Sequence, residues 1–138
     1  MKFLALILLA ALGFGVWVRL APSDPARWHV TAGEAGDRDF AGAAIRTVPA
    51  GPGDMARLDR IIRATPRTTH LAGSPEEGRV TYITRSRLWG FPDYTTIEQR
   101  GGAIVVHGRL RFGTSDMGVN RARITGWITA LQQGQGQS

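Results

Sequence analysis

The sequence contains no cysteine and, apart from Lys2, no lysine. Without thiols there is no disulfide framework, no cysteine-ligated zinc or iron–sulfur site, no thiol nucleophile and no lipidated cysteine. With a single lysine the basic residues are almost all arginine, a bias that GC-rich coding produces on its own. Histidine is scarce too. His29, His70 and His107 stand far apart, with no His-x-x-x-His pair and no carboxylate at ligand spacing, so neither a metal site nor a cofactor is expected. Ser86 and Ser115 lack the Gly-x-Ser-x-Gly elbow of hydrolases, and the glycine-rich stretches 51–54, 101–104 and 113–118 lack the lysine of a phosphate loop.

What is present is an ordinary globular composition. The 138 residues are 43% apolar and 20% charged, enough for one modest core and too balanced for a disordered or collagen-like chain despite 18 glycines. The net charge of +6 is unevenly placed: residues 1–23 carry +2, residues 24–78 carry −1 and residues 79–123 carry +5. The basicity therefore belongs to the C-terminal half.

One long apolar run stands out, FLALILLAALGFGVWV over residues 3–18, closed by Arg19, Pro22 and Pro25. Arg19 and Pro22 spoil a signal-peptide cleavage site after Ala21, so residues 1–21 read as an uncleaved membrane anchor in preference to the alternative, a cleaved signal segment. As a helix, residues 3–18 span about 24 Å, short of a ~30 Å hydrocarbon core but tolerable with local thinning and snorkelling ends. Lys2 and the α-amine precede the run and Arg19 alone follows it, which favours a cytoplasmic N-terminus. The expected location is a bacterial inner membrane, single-pass, with the C-terminal domain in the periplasm.

Residues 22–53 are rich in proline and glycine and read as linker, with only Ala43–Val48 apolar enough for a strand. Asp54 offers an N-cap to a helix over 55–64, in which Met55, Leu58, Ile61 and Ile62 recur at helical spacing until Pro66. Ser74 to Glu77 reads as a connector. From Arg79 the period becomes two, giving RVTYITRSRL, YTTIEQR and AIVVHGRLRF, the last two joined by a Gly101-Gly102 turn. That turn places Arg100 opposite Ala103, Glu98 opposite Val105, Thr96 opposite His107 and Tyr94 opposite Arg109. Ile97, Ile104, Val106, Leu110 and Phe112 then share an apolar face, and His107, Arg109 and Arg111 share a basic one. Ser115 or Asp116 caps a second helix with a stripe of Met117, Ile124, Trp127, Ile128 and Leu131. The expected fold is α+β and two-layered: a three-stranded antiparallel meander, with one more strand allowed, packed on two helices over residues 54–132. Residues 133–138 read as a frayed tail.

Two strings resemble a known family. RSRLWGFPD, followed about twenty residues later by GTSDMGVNRARI, is similar to the two signature blocks of the bacterial and plastid family catalogued as domain of unknown function 1499. The first block is an aromatic-containing Gly-Phe-x-Asp turn. In the second, Arg111, Gly113, Ser115, Asp116, Gly118, Asn120, Arg121 and Arg123 stand where the family places them. Pro66-Arg67 after the first helix also fits, so the resemblance spans residues 45–132. Two departures are visible: Tyr94 replaces a second Asp in the turn, and Gly108 and Leu110 stand where serines are common. The resemblance implies a fold, and its name assigns no activity.

Three functional readings follow. The leading one is binding: Arg85 and Arg87 join Arg109 and Arg111 on an open sheet face and, with Asn120, Arg121 and Arg123 from the second block, hold a small anion or an anionic lipid headgroup, since guanidinium forks bind such groups bidentately. The second is a small envelope enzyme in which Asp93 and Asp116 act as a general acid and base. Against catalysis, Asp93 sits in a turn and Asp116 at a helix start, where carboxylates usually bond the backbone. The third is a protein–protein assembly module with Trp89, Phe91 and Tyr94 on a projecting loop. Those aromatics also offer surfaces for stacking bases, but an exported domain meets little nucleic acid, so none is expected as a partner.

Overall fold

The computed structural model describes residues 1–136. The chain forms α1 (Lys2–Leu20), α2 (Pro25–Trp28), β1 (Arg38–Phe40), β2 (Ala43–Pro49), α3 (Asp54–Arg63), β3 (Thr68–Ser74), β4 (Arg79–Arg85), β5 (Pro92–Arg100), β6 (Ala103–Leu110) and α4 (Val119–Gln135). The expected class, α+β, is what is found, but the sheet has six strands rather than three. They run in the order β1-β2-β6-β5-β4-β3, every neighbour antiparallel. The central hairpin adopts the register its glycine turn dictates, with Arg100 opposite Ala103 and Tyr94 opposite Arg109.

The additional strands have physical reasons for escaping a periodicity reading. β3 carries a register shift between His70 and Ala72, so its alternation breaks midway. At Gly73, φ is +82° and a Cβ would lie 2.0 Å from the Arg79 carbonyl oxygen, so no side chain fits there. β1 is three exposed residues held to β2.

One sheet face carries Val48, Val80, Tyr82, Ile97, Ile104 and Val106, and onto it pack Leu58 and Ile62 of α3 and Ile124, Trp127 and Leu131 of α4. Each such buried side chain contributes about 1.5–3 kcal/mol. Two polar side chains in this core are paired, the Tyr82 hydroxyl donating to Asp59 at 2.6 Å and the Trp127 indole to Thr65 at 2.7 Å, whereas the buried Thr95 hydroxyl has no hydrogen-bond partner among the described residues. Met117 departs from the expected stripe, standing before α4 and 94% exposed. The expected tail also differs, because α4 continues to Gln135, whose amide donates to Asp54; residues 137–138 lie outside the described residues.

The second face is the larger correction. Residues 22–37 are no linker but a strap laid across it. Trp28 stacks on Tyr94 with ring centroids 3.8 Å apart. Arg109 donates to the Trp28 carbonyl and to Thr96, Arg111 to the Pro22 carbonyl and the Tyr94 hydroxyl, and Ser23 bonds that same hydroxyl. His29 bonds Thr81 at 2.8 Å. Glu98 accepts from Thr31, from the Ala32 amide, and from Arg79 and Arg100. Ala32 closes a small cluster with Ile45 and Val105. Of the arginines foreseen on an open face, Arg109 and Arg111 are thus donors that fasten this strap, because backbone carbonyls and hydroxyls satisfy them in place of water, while Arg85 and Arg87 stand clear of it.

Among the covered groups, the carboxyl of Glu98 and the imidazole of His107 titrate well below their ordinary values. Burial alone would raise Glu98, but hydrogen bonds from Arg79, Ala32, Arg100 and Thr31 outweigh it and hold the carboxyl at about 2. Burial, with Arg109 adding to it, pushes His107 down to about 4. As pH falls below about 6.5 the unfolded chain protonates His107 while the folded one resists, so stability declines down to about pH 4. Glu98 adds its loss between its ordinary 4.5 and about 2. Thermal unfolding of the full chain in detergent should therefore show stability falling from near neutrality, and His107→Gln should flatten the upper part of that fall; an unchanged profile in the variant would contradict the assignment.

Candidate functional site

At one end of the sheet, β4 leaves, β5 enters and β6 runs into the loop that starts α4. There the two signature strings meet. Asp93, the second residue of β5, pairs through Oδ2 with Arg123 of α4 at 3.2 Å; Arg123 also donates to Asn120 Oδ1 at 3.2 Å, and Asn120 donates to Asp116 Oδ2 at 2.7 Å. The result is one hydrogen-bonded line, Asp93–Arg123–Asn120–Asp116, in which Asn120 is fully buried.

Local sequence sets each member. Asp116 starts α4 by accepting from the Gly118 and Asn120 amides, while Ser115 accepts from the Met117 amide. Gly118 takes φ +79°, the left-handed value that lets the chain turn into the helix. Gly108 of β6 makes room for the line, since a Cβ there would lie 2.7 Å from Asn120 Oδ1 and 2.9 Å from Ile124.

Beside this line opens a cleft of about 440 Å³, lined by Arg67, Arg85, Arg87, Arg123, Asp93, Asp116, Ser86 and Ser115, and on its apolar side by Phe91, Leu110, Phe112, Met117 and Val119. Four guanidiniums face two carboxylates, so the cleft carries an excess of positive charge. Arg67 and Arg85 each commit a donor to a backbone carbonyl, those of Arg85 and Gly90 respectively. Arg87 has no hydrogen-bond or ion-pair partner among the described residues. Arg67 (φ 57°) and Met117 (φ 51°) are the two non-glycine residues with left-handed backbone among those described, and both line this cleft.

The two carboxylates are driven apart. Burial raises Asp93, with Arg123 opposing and Asp116 reinforcing the shift. Burial would raise Asp116 as well, but its hydrogen bonds from Asn120 and Gly118 prevail and lower it.

The expected site residues therefore divide. Arg85, Arg87, Arg123, Asp93 and Asp116 come together with Phe91 at the cleft, with Asn120 buried behind them. Arg109 and Arg111 belong to the strap, where burial takes Arg109 down to about 10 despite the nearby Tyr94 oxygen. Arg121 is exposed, 3.7 Å from Asp39. Tyr94 is no loop residue; it is completely buried under Trp28. Trp89 and Phe91 do not project freely either. Phe91 packs on Phe14 of α1 and on Phe112, Phe112 packs on Trp17, and Trp89 lies against Gly15. Arg67, Ser86, Leu110, Phe112, Ser115, Met117 and Val119 also line the cleft and are not among the expected site residues; of these Arg67 carries a signal in the Pro66-Arg67 step after the first helix.

Fold and site define an α+β domain with a six-stranded antiparallel sheet and an arginine–carboxylate cleft, preceded by one helix long and apolar enough to cross a membrane. The chain belongs to the family described as "Protein of unknown function (DUF1499)", whose profile matches residues 18–131. That match includes the strap and β1 and β2, which the signature strings alone do not reach. No curated protein matches the chain. Among solved structures, a DUF4468 family protein from Bacteroides ovatus is similar at 13% identity and a TM-score of 0.30, the match covering 64% of this chain and 63% of that one; the match thus spans just under two thirds of that protein's length.

The line of bonds makes a structural prediction. Asp93→Asn leaves Arg123 without its anion and should cost about 2–3 kcal/mol, just under the range for fully buried pairs because both side chains keep 16% exposure; Asp116→Ala removes the start of α4 and should cost about 1–2 kcal/mol. Denaturant unfolding of the full chain measures both. Unchanged midpoints would show that neither carboxylate supports the fold.

Proposed function

We propose that the protein is a membrane-anchored binding module whose cleft takes the phosphate group of an anionic lipid. The observation that carries this reading is the clustering of Arg67, Arg85, Arg87 and Arg123 around a cleft whose other wall is apolar and rests on α1. Guanidinium donors suit a phosphate, and Phe91, Leu110 and Phe112 suit the first carbons of an acyl chain. With Lys2 at the first position of α1 and Arg19 in its last turn, the positive-inside bias supports a cytoplasmic N-terminus and a domain on the periplasmic side of an inner membrane. An anionic headgroup is then within reach of the cleft without diffusion through water.

Binding is favoured over acid–base chemistry because Asp93 and Asp116 are wired to Arg123 and Asn120 and already have structural work. The assembly reading loses its anchors, since Tyr94 is buried and Trp89 and Phe91 pack on the chain's own helix.

The test is calorimetric titration of the full chain, held in phosphatidylcholine nanodiscs, with dihexanoyl phosphatidic acid, glycerol phosphate and inorganic phosphate. The short-chain lipid should bind in a salt-sensitive manner, and Arg67→Ala/Arg87→Ala should weaken it at least tenfold. Equal affinity for glycerol phosphate would point to a soluble anion in place of a lipid. No binding of any of the three by the folded protein would overturn the reading.

A further inference from the structure

The loop between β4 and β5 has the properties of an element built for an apolar medium. Its tip, Leu88-Trp89-Gly90-Phe91, is wholly apolar, yet Leu88 is 76% and Trp89 39% exposed. Its backbone is bonded internally at its base. The Ser86 amide donates to the Phe91 carbonyl, the Gly90 amide to the Ser86 carbonyl, and the Phe91 amide to the Ser86 hydroxyl. Two arginines cap further carbonyls: Arg19 donates to Leu88 O at 2.7 Å and Arg85 to Gly90 O at 2.9 Å. The Arg87, Leu88 and Trp89 amides have no acceptor among the described residues, so this backbone suits the headgroup–acyl boundary, where water still reaches it, and not the hydrocarbon centre.

The placement of the loop gives its depth. Leu88 and Trp89 line a groove with Ala11, Leu12, Gly15 and Val16 of α1, about 140 Å³ in volume. A Cβ at Gly15 would lie 3.4 Å from the Trp89 ring, so a larger residue would push the loop away. Leu12 precedes Trp17 by five residues, about 7–8 Å along the helix axis. If Trp17 marks the interface, as a tryptophan beside an arginine at the end of an apolar helix does, the loop tip reaches about that far below it. Interfacial elements bury their apolar faces by about 5–10 Å.

We infer that residues 86–91 form a second membrane-contacting element, a wedge that enters the same leaflet as the C-terminal end of α1, with the lipid bilayer as its partner. Arg87, beside the tip, then lies at headgroup level, where a long side chain keeps its charge in water while its stem remains among apolar groups. The wedge fixes the orientation of the domain on the membrane and turns the mouth of the cleft toward the headgroups. This inference rests on α1 lying in the bilayer and does not require that the cleft bind lipid.

The absence of native cysteine makes the test direct. Single variants Leu88→Cys, Leu9→Cys and Gly102→Cys of the full chain are labelled with a nitroxide and placed in phosphatidylcholine–phosphatidylglycerol nanodiscs. Power saturation then compares access of oxygen with access of a nickel chelate. Leu88 and Leu9 are exposed, and nothing lies within 4 Å of a Cβ at Gly102, so all three sites accept a label without disturbing the core. Gly102 stands at the opposite end of β5, about 30 Å from the loop. The wedge predicts oxygen-favoring, lipid-side saturation at Leu88, shallower than at Leu9 and distinct from the aqueous signal at Gly102. An aqueous signal at Leu88 with a lipid signal at Leu9 would overturn the wedge while leaving the anchor intact. Aqueous signals at both would overturn the anchor and the wedge together, without bearing on phosphate binding by the cleft.

Discussion

The bond line Asp93–Arg123–Asn120–Asp116 is the constraint on which the functional end of this domain depends. It joins the first turn of α4 to the start of β5 across the end of β6, so the N-terminus of the helix and the edge of the cleft are one structure. Buried polar chains of this kind hold their geometry only when each member is satisfied. Asn120 meets that demand with both ends of its amide, and the missing side chain at Gly108 lets it lie flat on the sheet. Arg123 is therefore both a wall of the cleft and a tie to its floor. The left-handed backbone at Arg67 and Met117 sets the rim on either side.

The opposite face of the sheet is governed by a second set of arginines. Arg109, Arg111, Arg79 and Arg100 hold the strap through carbonyls, hydroxyls and Glu98, and the strap in turn leads directly into α1. Helix α1 is thus continuous with a segment fastened to the domain along its length, and the aromatic contacts of Phe14 and Trp17 with Phe91 and Phe112 add a second attachment. A helix attached at two places keeps one angle to its domain, whereas a flexible linker would let it roam.

Much of this was legible from residues alone, and the limits have physical causes. Helices α3 and α4 follow from helical spacing and from Pro66, and the β5–β6 register follows from Gly101-Gly102 because a two-residue turn leaves one pairing. Asp93, Asp116 and Arg123 fell within the signature strings, and the fold brings those strings together. The strap was not legible, because its proline- and glycine-rich composition is that of a linker and its partners lie 50 to 90 residues away. For the same reason an alternation that marks Arg109 as facing away from the helices could not say whether water or backbone waits there. Trp28 was the one available signal: a large aromatic in a linker has no reason to stay in water, and Tyr94 is where it stacks. Periodicity also failed at β3, whose bulge at His70 and Ala72 erases the alternation.

The central claim is that the cleft and the wedge work at one lipid surface. Hydrogen–deuterium exchange of the full chain, compared between nanodiscs of phosphatidylglycerol and of phosphatidylcholine, tests it most directly. The account predicts slower exchange in the anionic discs at residues 111–118, around the cleft, with residues 86–91 protected in both lipids relative to the Gly101-Gly102 turn. Identical exchange at 111–118 in the two lipids, with 86–91 exchanging as freely as that turn, would contradict it.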